Sequence, residues 1–549
     1  MRTCALLTVA VLAFSGVIGA TPPEAGDGKA AQIERGKALY ARNCFVCHQL
    51  TGQGIPGTYP PLAKADYLMN DRERSIRIVC EGLSGEIIVN GRRYNGSMTP
   101  VVLEDAQAAD LLTFVRNEWG NSDQAISAEE VKLVRAKTQF PTYQKLVEAS
   151  SYAPLPQPPA EFTLREVVRM TSHGVRMASD GSGRVIYILI ENGDVWRLEP
   201  ATANYRQILW AKRYLDRKPG DTPAPLFVLG MAMSKEGQLY IASNQPNNSK
   251  PPFQNRVTIY RTSAVVEGDP VEPKVWFEAS YPGNSAYVHG LEHIAFGADG
   301  FLYAGNGART DANQPSTDPN YYQGGEMELT SSIWRLDPKS DTPQIEVYAR
   351  GVRNAYGFCW NDQDEMIATE NGPDADAPEE LNLIEKGKHY GFPYQFGDWS
   401  KKAYEHTADA PAGLRFTLPI ANLGPDGGFN GTPIYTFDPH SGPGGIIFLG
   451  DDFPKGWRGT FLLNRFGNFI KTPRDNVGFD ILRVKLEKNT QGVYEARVNT
   501  ILAPLGRPID LHLSGKGKVY ICEYSRPTNN AGSFALPGRI LELALKKQP

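Results

Sequence analysis

From about residue 165 onward the chain repeats itself loosely. The stretches GVRMASDGSGRVIYILIENGDVWRLEP, GMAMSKEGQLYIAS, LEHIAFGADGFLYAGNG, NAYGFCWNDQDEMIATENG and IDLHLSGKGKVYICEYS share one plan. Each is a short apolar strand, a Gly/Asp/Asn turn, and a second strand that usually carries an aromatic or β-branched residue. GIIFLGDDFPKGWRGTFLLNRFG is a looser sixth copy, and VTIYRT, SIWRLDP, ILRVKL and ILELAL supply further strands. The copies lie roughly 55 to 90 residues apart, a little above common propeller periods. Six such copies predict an all-β, six-bladed propeller over residues 163–546. Its innermost strands would meet at a central channel, and loops on one face would gather residues from distant blades. The long insertion KHYGFPYQFGDWSKKAYEHTADA, between the fourth and fifth copies, is expected to wall that site.

At 549 residues the chain exceeds what one core can hold, so a second domain is expected. It lies ahead of the repeats. ARNCFVCHQL contains Cys44, Cys47 and His48 in the spacing CxxCH. A zinc site would want a second Cys or His pair, and no second CxxC exists. A thioredoxin-type pair needs no adjacent His. Covalent attachment of a c-type haem uses all three residues: two thioethers and an axial imidazole. The sixth iron ligand is expected from Met98, in YNGSMTP, read as a Gly/Pro-containing loop; a thioether there raises the potential, as an electron carrier needs. A helix over Gln32–Asn43 precedes the motif. A second, Leu103–Trp119, follows it with Leu111, Leu112, Phe114 and Val115 inward.

Helix, CxxCH, loop Met and closing helix resemble a class I cytochrome c over residues 28–122. The run from YNGSMTP to VRNEWGN is similar to cytochrome domains attached to quinoprotein dehydrogenases. The expected fold is therefore multidomain: a small all-α cytochrome c domain, then the propeller. Residues 123–162 read as a linker, with a capped short helix from Ser127 that includes Val131, Leu133 and Val134, then the Pro-rich spacer SSYAPLPQPPAEF.

Residues 1–20 read as a secretory signal peptide: Arg2, an apolar run, then Gly19 and Ala20. No later stretch is long and apolar enough to span a bilayer, so the mature chain is expected to be exported, periplasmic or secreted. Lys plus Arg number 57 against 61 Asp plus Glu, a balance that argues against nucleic acid as partner. Five cysteines remain beyond the signal, too few for a disulfide scaffold. Cys359 and Cys522 either pair or stay as buried thiols, and Cys80 receives no role.

Three stretches of the repeats carry polar residues a plain strand would not need. In YVHGLEHIAFGADG, either His289 or His293 suits a general base. In ARGVRNAYGFCWN, Arg353 and Asn354 open a strand, and an Arg entering a channel calls for an anion. In ATENGPDADAPEELNLIEKGKHYGFP, the Gly372-Pro373 turn amid carboxylates suits a hard cation such as calcium.

These residues resemble the soluble glucose/sorbosone dehydrogenase family, six-bladed propellers that bind pyrroloquinoline quinone (PQQ) and calcium. The resemblance covers most of residues 165–546. It implies His289 rather than His293 as catalytic base, and Arg353 and Asn354 at the quinone carbonyl and substrate. It implies the carbonyls of Gly372 and Pro373 on calcium, and Arg465 and Arg507 beside the PQQ carboxylates. Arg176 and His440 resemble channel residues of the sorbosone-type branch. Ile509 stands where the family places a second Arg, which weakens the expected hold on PQQ. The reading is a PQQ- and calcium-dependent sugar or alcohol dehydrogenase whose haem passes electrons to an outside acceptor, another cytochrome. Its rivals are a propeller hydrolase of the lactonase kind and a non-catalytic electron-transfer or binding module without PQQ.

Overall fold

The computed structural model describes residues 28–54, 59–98, 100–101, 103–138, 152–221, 227–266, 268–284, 289–316, 318–397, 402, 404–405, 407–426, 436–468, 476–526, 528 and 536–546. The expected signal peptide lies outside them. No helix among the described residues is long and apolar enough to cross a membrane.

The N-terminal unit is mostly helical. Helix α1 (Lys29–Asn43) runs into the one-turn α2 (Phe45–His48); α3 (Asp66–Met69) and α4 (Arg72–Glu81) follow. The Asp71 carboxylate caps α4 by accepting the Arg74 N–H at 2.8 Å. A two-stranded ribbon, β1 (Leu83–Val89) and β2 (Arg92–Met98), comes next, then α5 (Asp105–Val115), opened by a capping box between Glu104 and Gln107. Helices α1 and α5 cross at Gly36, where a Cβ would stand 2.0 Å from the Asp110 carbonyl oxygen. Arg35 grips Asp110 with two bonds of 2.6 and 2.9 Å across the same crossing. Tyr40, Phe114 and Trp119 pack ring against ring in the core, with centroids 4.9–5.4 Å apart.

Two expectations shift here. Met98 ends strand β2, opposite Leu83, rather than sitting in a loop. The helix expected in the linker is α6 (Ala128–Thr138), opened by Ser127 Oγ accepting the Glu130 N–H at 3.1 Å. Its Val131 and Val134 lie in the helical core while Leu133 is exposed, so the helix packs as part of this unit. Burying each such side chain contributes roughly 2 kcal/mol, more than a free spacer could gain.

The rest is a ring of six sheets. Strand β3 (Phe162–Arg169) belongs to the last of them. Blade one is β4 (Gly174–Ala178), β5 (Ile186–Ile190), β6 (Val195–Glu199) and β7 (Asn204–Leu209). Blade two is β8 (Phe227–Met233), β9 (Leu239–Asn247), β10 (Gln254–Val266) and β11 (Asp269–Pro282). Blade three is β12 (Leu291–Phe296), β13 (Leu302–Asn306), β14 (Ser332–Leu336) and β15 (Glu346–Arg350). Blade four uses β16 (Gly357–Trp360), β17 (Met366–Glu370) and β18 (Glu379–Ile384); the long insertion then carries β19 (Ala421–Pro425), and β20 (Thr436–Phe437) completes the blade. Blade five is β21 (Pro443–Leu449), β22 (Thr460–Arg465), β23 (Asp480–Lys488) and β24 (Tyr494–Leu502), with β19 added in parallel along β24. Blade six is β25 (Pro508–Leu513), β26 (Lys518–Glu523) and β27 (Arg539–Leu545), and its fourth strand is β3.

The insertion therefore interrupts blade four, rather than standing between blades; the two-residue β20 is too short to read from a pattern. Cys359 and Cys522 are both free thiols, in different blades.

Candidate active site and haem site

The haem motif occupies the joint between α1 and α2. Cys44 is the residue between the two helices, and one turn carries Cys47 and His48 round beside it. His48 Nδ1 donates to the Pro60 carbonyl at 3.0 Å. That bond fixes the tautomer and leaves Nε2 with its lone pair, the arrangement an iron ligand needs. Burial holds His48 below the usual imidazole range, so it stays neutral. Burial also pushes the thiols of Cys44 and Cys47 up, to about 12 and about 11. Met98 and Cys44 both border the apolar cluster of Leu111, Leu112 and Phe114. Two thiols, an imidazole with Nε2 open and a thioether on one apolar surface fit a covalently held haem.

In the ring, residues just before each inner strand and just after each second strand share one face, because the two strands are antiparallel. His289 precedes β12, Arg353 and Asn354 precede β16, His440 precedes β21 and Arg507 precedes β25. Asn371 to Asp374 follow β17, and Asp311 follows β13.

His289 Nδ1 lies 3.0 Å from Glu292 Oε1. A carboxylate only accepts, so Nδ1 carries the proton and Nε2 is left as the base nitrogen. Asn354 Nδ2 donates to Asn371 Oδ1 at 3.4 Å and packs 3.3 Å from the same ring nitrogen, which, being protonated, does not accept from it. Arg353 donates from Nη2 to Asp311 Oδ1 at 2.7 Å, from Nε to the Asp311 carbonyl at 3.1 Å and from Nη1 to the Asn371 carbonyl at 3.2 Å. Its backbone N–H is held by the Glu370 carboxylate. Asn371 Nδ2 reaches the Pro443 carbonyl at 2.9 Å, and the Gly372 N–H donates to Glu379 at 2.7 Å. His289, Arg353, Asn354 and the Gly372 turn thus form one connected cluster. Gly307 permits it: a Cβ there would stand 2.5 Å from that of His289. Two buried oxygens of the cluster, Asn354 Oδ1 and Glu292 Oε2, have no hydrogen-bond partner among the described residues. An ordered water or a bound polar group would satisfy each of them.

Charge is concentrated here. Burial, then Asp311, raises the Asp374 carboxyl, while Arg353, His440 and His289 pull it down. Burial likewise raises Glu379, opposed first by His440. His440 Nε2 is 2.8 Å from Asp376 Oδ1, so His440 joins the rim of the cluster. Asp374 also acts on the other domain: it adds to the upward shift of Cys47 and of Tyr59, and Tyr59 hydrogen-bonds Cys47.

Two expected cofactor ligands, Arg176 and Arg465, are paired with carboxylates of the ring. Arg176 is buried in the channel, where Nη1 meets Asp510 at 3.0 Å and the other nitrogens meet the carbonyls of Leu229, Glu292 and Tyr356 at 3.1–3.2 Å. It ties blades together, and its charge is matched by Asp510. Arg465 meets Asp480 at 2.6 and 3.0 Å and Asp438 at 3.4 Å; with two carboxylates around one guanidinium, no positive charge is left over for a cofactor. Arg507 donates to the carbonyls of Gly467 and Asn468 at 2.7 and 3.1 Å, contacts that fix its guanidinium beside the loop after β22. Ile509, on β25 of blade six, packs in the apolar cluster that joins that blade to blade one. His293 is a core residue: Nε2 lies 3.1 Å from the Phe358 carbonyl, and burial, aided by Arg176, lowers it well below the usual range. Among the described residues no group of three His, Cys, Asp or Glu is placed to hold a metal.

Glu292, Asp311, Asp374 and Tyr404, whose hydroxyl donates to Asp311 Oδ2 at 2.7 Å, went unread in the sequence. Acids in turns and a tyrosine in a long loop look like solvated surface. A carboxylate three residues after a candidate base was the available signal for Glu292.

A helical domain with a haem motif is followed by a six-bladed ring in which a histidine and an arginine meet at one cluster. The profile of the family "Glucose / Sorbosone dehydrogenase" matches residues 228–525, and that of "Cytochrome c" matches residues 33–119. The chain belongs to the glucose/sorbosone dehydrogenase family, with a cytochrome c domain ahead of the family domain. That membership implies PQQ on the ring and haem c on the helical domain. The chain is 40% identical over 116 residues to cytochrome c-552 of Thermus thermophilus, covering 19% of this chain and 88% of that one. It is 21% identical over 323 residues to quinoprotein glucose dehydrogenase B of Acinetobacter calcoaceticus, covering 53% and 67%. A solved PQQ-bound aldose sugar dehydrogenase of Streptomyces coelicolor aligns with a TM-score of 0.46 at 20% identity, covering 71% of this chain and 100% of that one.

Proposed function

We propose that the ring oxidises a neutral sugar or related alcohol and that the haem domain carries the electrons to an external acceptor, another cytochrome. The observation that carries this reading is the meeting of His289, Arg353 and Asn354 with the Gly372 turn in a chain that also carries a CxxCH haem motif. Bound PQQ supplies a quinone carbonyl that accepts hydride, and haem accepts electrons singly.

The protein's own part follows from its groups. His289, with Nδ1–H fixed by Glu292, takes the substrate hydroxyl proton at Nε2. Arg353, clamped by Asp311 and the Asn371 carbonyl, holds its guanidinium N–H donors in a fixed place where oxyanion character develops. Asn354 Oδ1 and the carbonyls of Gly372 and Pro373 are the candidate contacts for cofactor and calcium, and Arg507 is a further candidate beside the cofactor. Asp311, Asp374 and Glu379 crowd the site with carboxyl groups, which disfavours anionic substrates. A tether of two domains keeps the acceptor at roughly millimolar effective concentration. Export through the N-terminal signal suits the covalent haem.

The test uses the haem-loaded full chain with PQQ and calcium. Adding an aldose is expected to bring up the reduced haem band, and His289→Asn to slow that step about a thousandfold. Lactone consumption without a haem change would establish the hydrolase instead. No response to either would leave a binding module, the outcome that Arg465 and Ile509 favour.

A further inference from the structure

Asp311 has a place that neither haem nor quinone chemistry requires. One oxygen of its carboxylate, Oδ1, accepts from Arg353 Nη2 at 2.7 Å and from the Asp374 N–H at 3.1 Å. The other, Oδ2, accepts from the Tyr404 hydroxyl at 2.7 Å. Its carbonyl takes Arg353 Nε at 3.1 Å. Tyr404 comes from the insertion in blade four, while Asp311 follows β13 of blade three and Arg353 precedes β16. Locally, Tyr404 sits in a tight turn closed by Thr407: the Tyr404 N–H donates to Thr407 Oγ1 at 3.2 Å and the Thr407 N–H to the Tyr404 carbonyl at 3.1 Å. Lys402 Nζ braces the turn on the Thr407 carbonyl at 3.0 Å. Thr407 itself is 2% exposed, so the turn is seated on the ring rather than held out in solvent. Burial, reinforced by Asp311, keeps the Tyr404 hydroxyl protonated and therefore donating.

We propose that Asp311 is a positioning residue that latches the Tyr404 turn of the blade-four insertion to the ring and sets Arg353, with one carboxylate serving both. Three donors, Arg353, the Asp374 N–H and Tyr404, share one carboxylate. Loss of the Tyr404 bond loosens the turn it sits in and removes one of the three; loss of the carboxylate releases all three at once. The latch rests on the dehydrogenase reading only for its consequence in turnover. Its mechanical half stands alone.

The experiment separates the two. Trypsin cleavage after Lys402 reports release of the insertion without any cofactor. In the full chain, Tyr404→Phe and Asp311→Asn are each expected to speed that cleavage about tenfold, the population change that follows loss of a hydrogen bond to a charged group. His289→Asn should be cleaved at the wild-type rate. In the PQQ- and calcium-loaded protein, Tyr404→Phe should raise KM with a small change in kcat, whereas Asp311→Asn should lower kcat about a hundredfold by unsetting Arg353. Wild-type cleavage rates in both Tyr404→Phe and Asp311→Asn overturn the latch. Fast cleavage with kcat unchanged in Asp311→Asn overturns its link to Arg353. A His289→Asn protein that still reduces haem at the wild-type rate overturns the dehydrogenase reading instead, and the cleavage rates then decide the latch alone.

Discussion

In the helical domain, Cys44, Cys47 and His48 fall within one turn, and a single carbonyl, that of Pro60, orients the imidazole. In the ring, His289, Arg353 and His440 arrive from the lead-in loops of three blades, and only the closed ring brings them together. The first site is local and the covalent bonds to its group do most of the holding. The second is assembled by long-range packing, and its groups keep their positions through shared carboxylates and carbonyls. Local sites survive damage to distant structure; assembled ones do not.

The largest effect that tests this contrast is on the haem. Replacing both thiols, Cys44→Ala with Cys47→Ala, is expected to abolish covalent haem, read as loss of the haem stain on a denaturing gel, while the ring keeps its unfolding midpoint. A ring that fails to fold without haem would show the two sites to be interdependent.

Next comes the channel. Arg176→Met leaves the buried Asp510 carboxylate unpaired and is expected to cost about 3–5 kcal/mol in urea unfolding. Arg176→Met with Asp510→Leu should recover most of that. A loss below about 1 kcal/mol would mean that the blades hold their register without the channel pair.

The smallest effect is a slope. His512, hydrogen-bonded to Ser179 Oγ at 2.7 Å across blades six and one, is pushed down by burial to about 4. The unfolded chain binds this proton near pH 6.5, the folded one only near pH 4. Its contribution is therefore full above about pH 6.5, falls as pH drops toward 4 and levels off below. Thermal unfolding across that window should show the decline, and His512→Gln should make it shallower. The helical unit lacks this residue and should not share that part of the slope.

What could be read in advance follows the same division. CxxCH names its chemistry in five letters because one helical turn does the work. The inner two strands of each blade were legible because Gly/Asp turns flank buried runs; β5, for instance, is buried at every position. Outer strands were harder. In β7 only Leu209 is fully buried, so the apolar signal fades at the edge of the blade. The charge of Arg465 was visible, but not its neutralisation by Asp480 and Asp438, since those pairings join β22 to its neighbours through the fold. Glu292, Asp311 and Tyr404 carry function only by their partners, and partners at long range leave no local pattern.

The ring closes by pairing β3 with β27, with Phe162 opposite Leu545 and Arg539 bridging to Glu166 at 3.2 Å. The strand that finishes blade six is therefore made before any other blade, and it must wait on the ribosome for the last partner to emerge. Until then every nascent propeller is an open arc with a bare edge at each end. The strand that clasps the ring shut is also the one into which the haem-bearing half leads, so the clasp that completes the catalytic ring is the same stretch of chain that anchors its electron outlet.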